Sequence, residues 1–258
     1  IKMTEMQYFK KKIFLISMII LLSFQSRADE GEIVVSAASS LTNVLKIVKN
    51  SYQKDNKSVK IYLNFGGSGY LFQQIVHGAP VDIFIPADQI WISKAKELKL
   101  IDEKSLKKLV SNQLVLVSNQ SQNLNIEEIT ELDNENIKKI ALSNPDLVPS
   151  GKYAKEILVK QKIWKKINHK LIQTHNVRQV VNYVVRGEVD FGFVYLSDTF
   201  GNDENLKIDL HLQSQSKIIY PGVITKTSKN KDLALSFLNF LLKEESQKEF
   251  KKNGFIIE

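Results

Sequence analysis

The segment Leu63–Gln89 constrains the fold of this chain most, because together with the residues just before it this segment reads as one complete βαβ unit. An apolar run over Val59–Phe65 predicts a strand, the apolar spacing after Gly69 predicts a helix, and Val81–Ile85 predicts a second strand. Gly66–Gly69 (GGSG) is the turn between the first strand and the helix, and its glycines leave room for a ligand at the backbone. A hydroxyl and free N–H groups at a helix start are typical of an anion site, although such glycines also occur in a plain tight turn.

The same arrangement of strand, polar turn and helix start recurs along the chain. The positions at which a polar group or a helix start follows a predicted strand are Ser40, Ser68, Ser150, Val177 and Tyr195. Three of them also have a plainer interpretation, with Ser40 as a helix N-cap, Ser150 as part of a simple Pro-containing helix start, and Tyr195 as a core tyrosine. Asp88 and Asn176 are predicted to cap the helices that follow them.

The alternation of predicted strands and helices indicates an α/β protein with open, mostly parallel sheets covered by helices. Two sheets are expected rather than one of extreme width, with the chain crossing near Leu114–Val117 and returning near Tyr220–Thr225. The predicted lobes are residues 29–113 plus 221–258 for the first and residues 114–220 for the second. Because ligands of such folds bind outside the carboxyl ends of strands, we expect the cleft between the lobes to hold the site.

The first 28 residues have the layout of a secretory signal peptide. Lys10–Lys12 precede the apolar run Ile13–Phe24, and Ser26-Arg27-Ala28 supplies small residues for cleavage after Ala28. A membrane anchor is the alternative, but the apolar run is short for a span. The sequence contains no cysteine, so we expect no disulfide and no lipid anchor, and a protein that is free in the periplasm.

Charge and motifs exclude several classes of function. The formal charge of +8 falls to +4 without residues 1–28, which carry five basic residues and one acidic residue, and this is too mild to indicate nucleic-acid binding. The four histidines are scattered without a metal-binding spacing, so no residue is predicted to bind a metal cation directly. No G-x-S-x-G motif occurs, and Gly67-Ser68-Gly69 is the nearest approach to one, so a serine-dependent hydrolase is the weaker alternative to a binding protein without a cofactor.

Six segments together resemble the periplasmic molybdate-binding proteins of ABC importers, and the resemblance runs in order from about Asp29 to the C-terminus. The segments are AASSLTN (37–43), NFGGSG (64–69), GAPVDIFIPADQ (78–89), NPDLVPSGKYAKE (144–156), NVRQV (176–180) and GFVY with the following SD (192–198). The resemblance implies a type II periplasmic-binding-protein fold, in which two α/β lobes close on a tetrahedral oxyanion. It also implies a monomer that captures molybdate or tungstate and delivers it to a membrane permease.

The resemblance further implies a set of ligand-binding groups. They are the hydroxyls of Ser40, Ser68 and Tyr195 and the backbone N–H groups of Ser150 and Val177. Lys152 and Arg178 are neighbouring cations, which we expect to point away from the pocket or to support it. Neutral donors favour a fully deprotonated anion over hydrogen phosphate, and a fixed cavity favours molybdate or tungstate over the smaller sulfate. Sulfate or phosphate binding by the same fold stays the alternative.

Overall fold

The computed structural model describes residues 31–202 and 204–257. The predicted signal peptide, residues 1–28, lies outside the described residues. Within the described ranges, no helix is long and apolar enough to cross a membrane.

Ten strands form two sheets of five strands each. The strands are β1 (Gly31–Ala38), β2 (Val59–Gly66), β3 (Ile83–Ile85), β4 (Ile101–Asn112), β5 (Leu114–Asn119), β6 (Ile140–Ser143), β7 (Leu171–Thr174), β8 (Phe191–Tyr195), β9 (Leu206–Leu212) and β10 (Ile218–Thr225). The α-helices are α1 (Thr42–Asp55), α2 (Ser68–Val76), α3 (Gln89–Glu97), α4 (Pro149–Lys160), α5 (Trp164–Ile167), α6 (Val177–Val185), α7 (Leu196–Thr199), α8 (Lys231–Phe240) and α9 (Glu244–Lys252).

The two sheets have the same plan. The first has the strand order β2-β1-β3-β10-β4 and the second β7-β6-β8-β5-β9. Three neighbouring strands are parallel in each sheet, and the fourth strand, β10 or β5, runs antiparallel to both of its neighbours. Four of the five strands in each sheet therefore share one direction, and the predicted α/β fold with two mostly parallel sheets is confirmed.

The chain passes between the sheets twice. Gln113 alone separates β4 from β5, and residues 213–217 separate β9 from β10. The predicted boundary at 113/114 falls at the first passage, whereas the predicted boundary at 220/221 falls inside β10, whose pairing with β4 begins at Ile218. Below, lobe I denotes residues 31–112 and 218–257, and lobe II denotes residues 114–217.

Burial on both faces explains the apolar strands at the centre of each sheet. All five residues of β8 and all three of β3 are buried, because helices cover both sides of the sheet. Gly192 lets α6 approach β8 closely, since a Cβ atom there would lie 2.6 Å from Val184 and 2.8 Å from Val180. This packing fixes the start of α6 beside the end of β8, where the site lies.

The sequence pattern assigns no element to residues 101–112 and indicates a polar segment, irregular in part, over residues 200–216. β4 and β9 occupy these positions as the edge strands of the two sheets. Edge strands carry charged and polar residues that prevent further pairing, so they lack the apolar alternation by which strands are recognised.

Candidate functional site

A cavity lies between the lobes at the carboxyl ends of the parallel strands. Its lining residues follow β1, β2 and β3 in lobe I and lie at or after the ends of β6, β7 and β8 in lobe II. The structure brings all five predicted positions to this one cavity, and they are Ser40, Ser68, Ser150, Val177 and Tyr195. These residues therefore meet outside the carboxyl ends of the strands, which is where the sequence analysis expects the site.

The cavity is small. It is much smaller than the pockets that take drug-sized organic ligands.

The first turns of helices from both lobes line the cavity. Ser68 is the first residue of α2, Ser150 is the second residue of α4, and Val177 is the first residue of α6. Ser40 lies in a short 3₁₀ turn, Ser39–Leu41, that leads into α1. N–H groups of a first helical turn have no acceptor within their own helix, and the helix dipole makes this end favourable for negative charge.

Two serine hydroxyls at the cavity have hydrogen-bond partners within lobe I, and the partner of Ser68 leaves its proton for the cavity. Ser68 Oγ accepts a hydrogen bond of 3.0 Å from the backbone N–H of Ala87, so its own proton is not used in that bond. Ser40 Oγ lies 2.9 Å from Tyr220 Oη. The interpretation of Ser40 as a side-chain cap is wrong, because neither the 3₁₀ turn nor α1 has a side-chain cap hydrogen bond.

Tyr195 provides the most informative group of the site. Its side chain is 2% exposed, and its Oη is a buried atom without a hydrogen-bond partner among the described residues. Burial raises the pKa of Tyr195 well above its usual value, so the hydroxyl stays protonated. Because a buried hydroxyl without a partner is costly, an unpaired one that lines a cavity points to a ligand as its partner.

Ser150 faces the cavity through its backbone. Its hydroxyl donates to Ser143 Oγ at 3.1 Å, and its side chain is fully buried. A Cβ atom on Gly151 would lie 1.9 Å from the Ser143 carbonyl oxygen, so the glycine permits the close approach of α4 to β6. The start of α4 is thereby fixed in position.

The two neighbouring cations are paired with carboxylates and do not line the cavity. Lys152 Nζ lies 2.6 Å from Asp88 Oδ2, and Arg178 Nε lies 3.6 Å from Asp198 Oδ1 and 3.4 Å from the Ser39 carbonyl oxygen. Burial raises the pKa of Asp198 to about 6, although the Arg178 charge and a hydrogen bond from the Tyr195 N–H act in the opposite direction. The groups that face the cavity are therefore neutral donors.

The helix caps follow the prediction. Asp88 Oδ1 accepts from the N–H of Ile90 at 3.0 Å, and Asn176 Oδ1 accepts from the N–H of Gln179 at 3.1 Å. Both caps satisfy N–H groups away from the cavity, so the amides at the start of α6 stay available.

Several contacts hold the lobes together around the cavity. The Gly69 N–H donates to the Leu147 carbonyl oxygen at 2.7 Å, and Tyr70 Oη lies 3.1 Å from His175 Nδ1. A Cβ atom on Gly67 would lie 2.7 Å from the His175 carbonyl oxygen, which belongs to lobe II. The glycines of the GGSG turn therefore admit the backbone of the other lobe, a role that the sequence interpretation, centred on a ligand, missed.

Sequence reasoning also missed three residues that hold the two serines directly or through another side chain. They are Ala87, Asn112 and Tyr220. Ala87 lies within the segment GAPVDIFIPADQ that carries the resemblance, but Asn112 and Tyr220 have no local signal, because each meets its partners from a distant part of the chain.

The described residues contain no group of three or more His, Asp or Glu side chains that could hold a metal ion. Two α/β lobes in contact around a small cavity of neutral donors define a two-lobed binding protein. The chain belongs to the family of bacterial extracellular solute-binding proteins, whose model matches residues 33–256. This assignment confirms the prediction of a transport component that is not an enzyme and carries no cofactor.

Known proteins resemble the chain over most of its length. The molybdate-binding protein ModA of Escherichia coli (strain K12) is 33% identical over 239 residues, which are 89% of this chain and 91% of that protein. A substrate-binding domain from Clostridium difficile, assigned to a molybdenum ABC transporter, is 38% identical, with a TM-score of 0.67 over 88% of this chain and 99% of that domain. The periplasmic molybdate-binding protein of Azotobacter vinelandii shares the fold with a TM-score of 0.78 at 23% identity, over 88% of this chain and 99% of that protein.

Proposed function

We propose that this protein captures molybdate, and tungstate equally, in the cavity between its lobes and delivers the anion to an ABC importer. The observation that carries the proposal is the buried, unpartnered hydroxyl of Tyr195, which lines a small cavity between the lobes together with Ser40 and Ser68. The relatives named above support the choice of molybdate, since two of them are called molybdate-binding proteins. In this proposal Ser40, Ser68 and Tyr195 donate O–H groups to the anion.

The two remaining donors are the backbone N–H groups of Ser150 and Val177. Lobe I then supplies two hydroxyls, and lobe II supplies two amides and one hydroxyl, so the anion links the lobes and stabilises their closure. Several converging charge-assisted hydrogen bonds can hold a dianion in a dry site without a cationic side chain.

The donor-only character of the cavity is the basis of its selectivity. A protonated anion such as hydrogen phosphate needs an acceptor for its proton, and the five proposed groups act as donors. Sulfate is fully deprotonated but smaller, so it would leave some donors without a partner. Sulfate binding is nevertheless the second candidate, because it requires the same kind of donors.

The proposed role places the protein outside the cytoplasm. We infer that residues 1–28 are a cleaved signal peptide, that the protein acts in the periplasm as a monomer, and that its partner is the permease of the importer. The family assignment supports the extracytoplasmic location.

Calorimetric titration of residues 29–258 with molybdate, tungstate, sulfate and phosphate tests the proposed ligand. We expect tight binding of one molybdate or one tungstate and no heat from sulfate or phosphate. Binding of sulfate or phosphate instead would keep the fold and overturn the ligand, and no binding of any of the four anions would overturn the oxyanion function.

The Tyr195→Phe variant tests the proposed site. Loss of a hydrogen bond to a charged group costs roughly 1.5–3 kcal/mol, so we expect molybdate affinity to fall about 10- to 100-fold. The unliganded variant should be as stable as the wild-type protein or more stable, because the removed hydroxyl has no partner in the described structure. Titration calorimetry and urea unfolding of the same samples measure the two quantities.

Ser68→Ala is the matched comparison, because this serine both faces the cavity and accepts from the Ala87 N–H. Its removal should lower the affinity and the stability together, since the Ala87 N–H loses its partner. Wild-type affinity in Tyr195→Phe would show that the donor assignment is wrong.

A further inference from the structure

We propose that Asn112 and Tyr220 are positioning residues that fix the direction of the Ser40 hydroxyl, so that its proton points into the cavity. This inference rests on the proposed function of the cavity as an anion site. The three side chains form a chain of hydrogen bonds, called here the Asn112–Tyr220–Ser40 relay, and all three residues are buried.

The amide orientation of Asn112 is set by backbone donors. Its Oδ1 lies 2.9 Å from the backbone N of Gln113 and 3.5 Å from that of Ser197. A backbone N–H can only donate, so the side-chain atom that faces both groups is the oxygen. The Nδ2 atom therefore takes the other direction, and it donates to Ser197 Oγ at 2.8 Å and to Tyr220 Oη at 3.2 Å.

The hydrogen bond from Asn112 to Tyr220 determines the direction of the hydrogen bond between Tyr220 and Ser40. Because its Oη accepts from Asn112, the single proton of the hydroxyl is left for its other partner, Ser40 Oγ, at 2.9 Å. Burial raises the pKa of Tyr220 well above its usual value, so this proton is retained. The Tyr220 side chain is fully buried, and its ring packs edge-on against Tyr195 and Phe255, which limits the positions of the hydroxyl.

Ser40 thus accepts from Tyr220 and keeps its own proton. The side chain of Ser40 is 2% exposed and lines the cavity, so an anion in the cavity is the acceptor that this proton can reach. Without the relay the Ser40 hydroxyl could turn and act as an acceptor, which would weaken the donor-only character of the site.

The relay also connects the cavity to the passage between the lobes. Asn112 is the last residue of β4, directly before Gln113, and its partner Ser197 belongs to α7 in lobe II. The direction of the Ser40 hydroxyl is therefore set by Asn112, whose contact with Ser197 joins the two lobes.

A double-mutant cycle of Ser40→Ala and Tyr220→Phe tests whether Tyr220 acts through Ser40. Loss of one neutral hydrogen bond predicts that Tyr220→Phe weakens molybdate binding about three- to tenfold. Ser40→Ala should weaken binding at least as much, and the double variant should match Ser40→Ala within about twofold, because Tyr220 has nothing left to orient. Titration calorimetry gives the affinities, and urea unfolding verifies that each variant is folded.

Tyr52→Phe is the matched control. Tyr52 is buried in lobe I, and its Oη lies 2.9 Å from Ser236 Oγ, the same kind of contact as that between Tyr220 and Ser40. Since neither residue lines the cavity, the variant should keep wild-type affinity. Its unfolding free energy shows what the loss of such a bond costs in stability alone.

The Asn112→Asp variant should reverse the hydrogen bond between residue 112 and Tyr220. A carboxylate can only accept, so the Tyr220 proton would turn towards position 112 and the Ser40 proton would turn away from the cavity. We expect a larger loss of molybdate affinity than in Tyr220→Phe. The part due to the relay should vanish in the Ser40→Ala background, where only the effect of the added charge persists.

Additive effects of Ser40→Ala and Tyr220→Phe, or wild-type affinity in Tyr220→Phe, would overturn the relay and leave the proposed function intact. A wild-type protein that binds neither molybdate nor tungstate would overturn the proposed function, and the role of the relay would fall with it. The two failures are therefore distinguished by the wild-type titration.

Discussion

Asp198 lies three residues beyond Tyr195, and its side chain is completely buried. Its Oδ2 accepts from the Tyr195 N–H at 3.1 Å, and its Oδ1 faces Arg178. Burial is the largest influence on this carboxyl group and raises its pKa from 3.8 to about 6. The folded protein therefore binds a proton here more tightly than the unfolded chain does.

The contribution of Asp198 to the free energy of unfolding should decrease as the pH rises from about 4 to about 6. A pKa difference of one between the folded and unfolded states corresponds to roughly 1.4 kcal/mol, so the contribution is about 3 kcal/mol, present below pH 4 and lost above pH 6. Asp198→Asn cannot titrate, so its unfolding free energy minus that of the wild-type protein should increase by about this amount between pH 4 and pH 7. Urea unfolding at several pH values measures this difference.

A constant difference between the two proteins over this pH range would contradict the assignment. Loss of the ion pair with Arg178 also affects the variant, but it adds an offset that changes little with pH, because arginine stays charged throughout. The slope against pH is therefore the informative quantity.

At the scale of single residues, the sequence was sufficient to predict which positions meet at the cavity. Strand ends followed by helix starts are local features, and the resemblance assigned a group to each of them. The partners of these groups are not local, because Ser40 meets Tyr220 from the far end of the chain. Ser40 lies inside the 3₁₀ turn instead of capping a helix, and its distant partner could not be predicted from its neighbours.

Among the elements, the GGSG turn between β2 and α2 contacts lobe II through its backbone. Gly67 has the extended backbone that any residue can adopt, with φ −67° and ψ 136°. The Cβ atom of an alanine there would nevertheless lie 2.7 Å from both the His175 carbonyl oxygen and Val148 Cγ2 in lobe II. The glycine is thus required by the contact between the lobes and not by the turn itself.

Gly67→Ala should hinder closure while leaving lobe I intact. We expect a large loss of molybdate affinity, and we expect the decrease in radius of gyration on adding molybdate to be smaller than in the wild-type protein. Small-angle X-ray scattering with and without molybdate measures the second quantity.

Gly78→Ala is the matched control, because a Cβ atom there has no atom within 4 Å and the backbone has φ +84°. Strain should cost this variant roughly 1–2 kcal/mol of stability without changing the affinity. The same pattern in Gly67→Ala, with lower stability and wild-type affinity, would contradict its role in closure.

The elements that sequence reasoning missed are the edge strands β4 and β9. The central strands β5 and β8 contain the buried apolar runs Leu114–Val117 and Phe191–Tyr195, so they are recognised from their composition. β4 reads IDEKSLKKLVSN, and three of its four exposed positions, Glu103, Lys104 and Lys108, are charged. Its assignment as a strand comes from pairing with β10, which lies more than a hundred residues later in the chain.

For the whole molecule, the two passages of the chain make the lobes unequal. Lobe II contains all five strands of its sheet in the continuous segment 114–217, whereas lobe I needs β10 from beyond that segment. β10 lies between β3 and β4 and pairs with both, so it is a central strand of its sheet.

We expect residues 114–217, produced alone, to fold cooperatively, and residues 31–112, produced alone, to stay without stable tertiary structure. The first segment can complete its sheet and its core, but the second lacks the strand that joins β3 to β4. Thermal unfolding followed by circular dichroism distinguishes the two outcomes. Residues 31–112 joined by a short linker to residues 218–257 are the matched control and should fold, whereas cooperative unfolding of 31–112 alone would contradict the division.

The position of β10 also sets the order in which the protein can be finished during synthesis. When residue 217 has been made, lobe II is complete, but β3 and β4 of lobe I each still have an unpaired edge. At 5–20 residues per second, residues 218–225, which form β10, take roughly 0.4 to 1.6 seconds to make. The lobe that begins first is therefore the lobe that is completed last, and its unpaired edges are open to other chains during that interval.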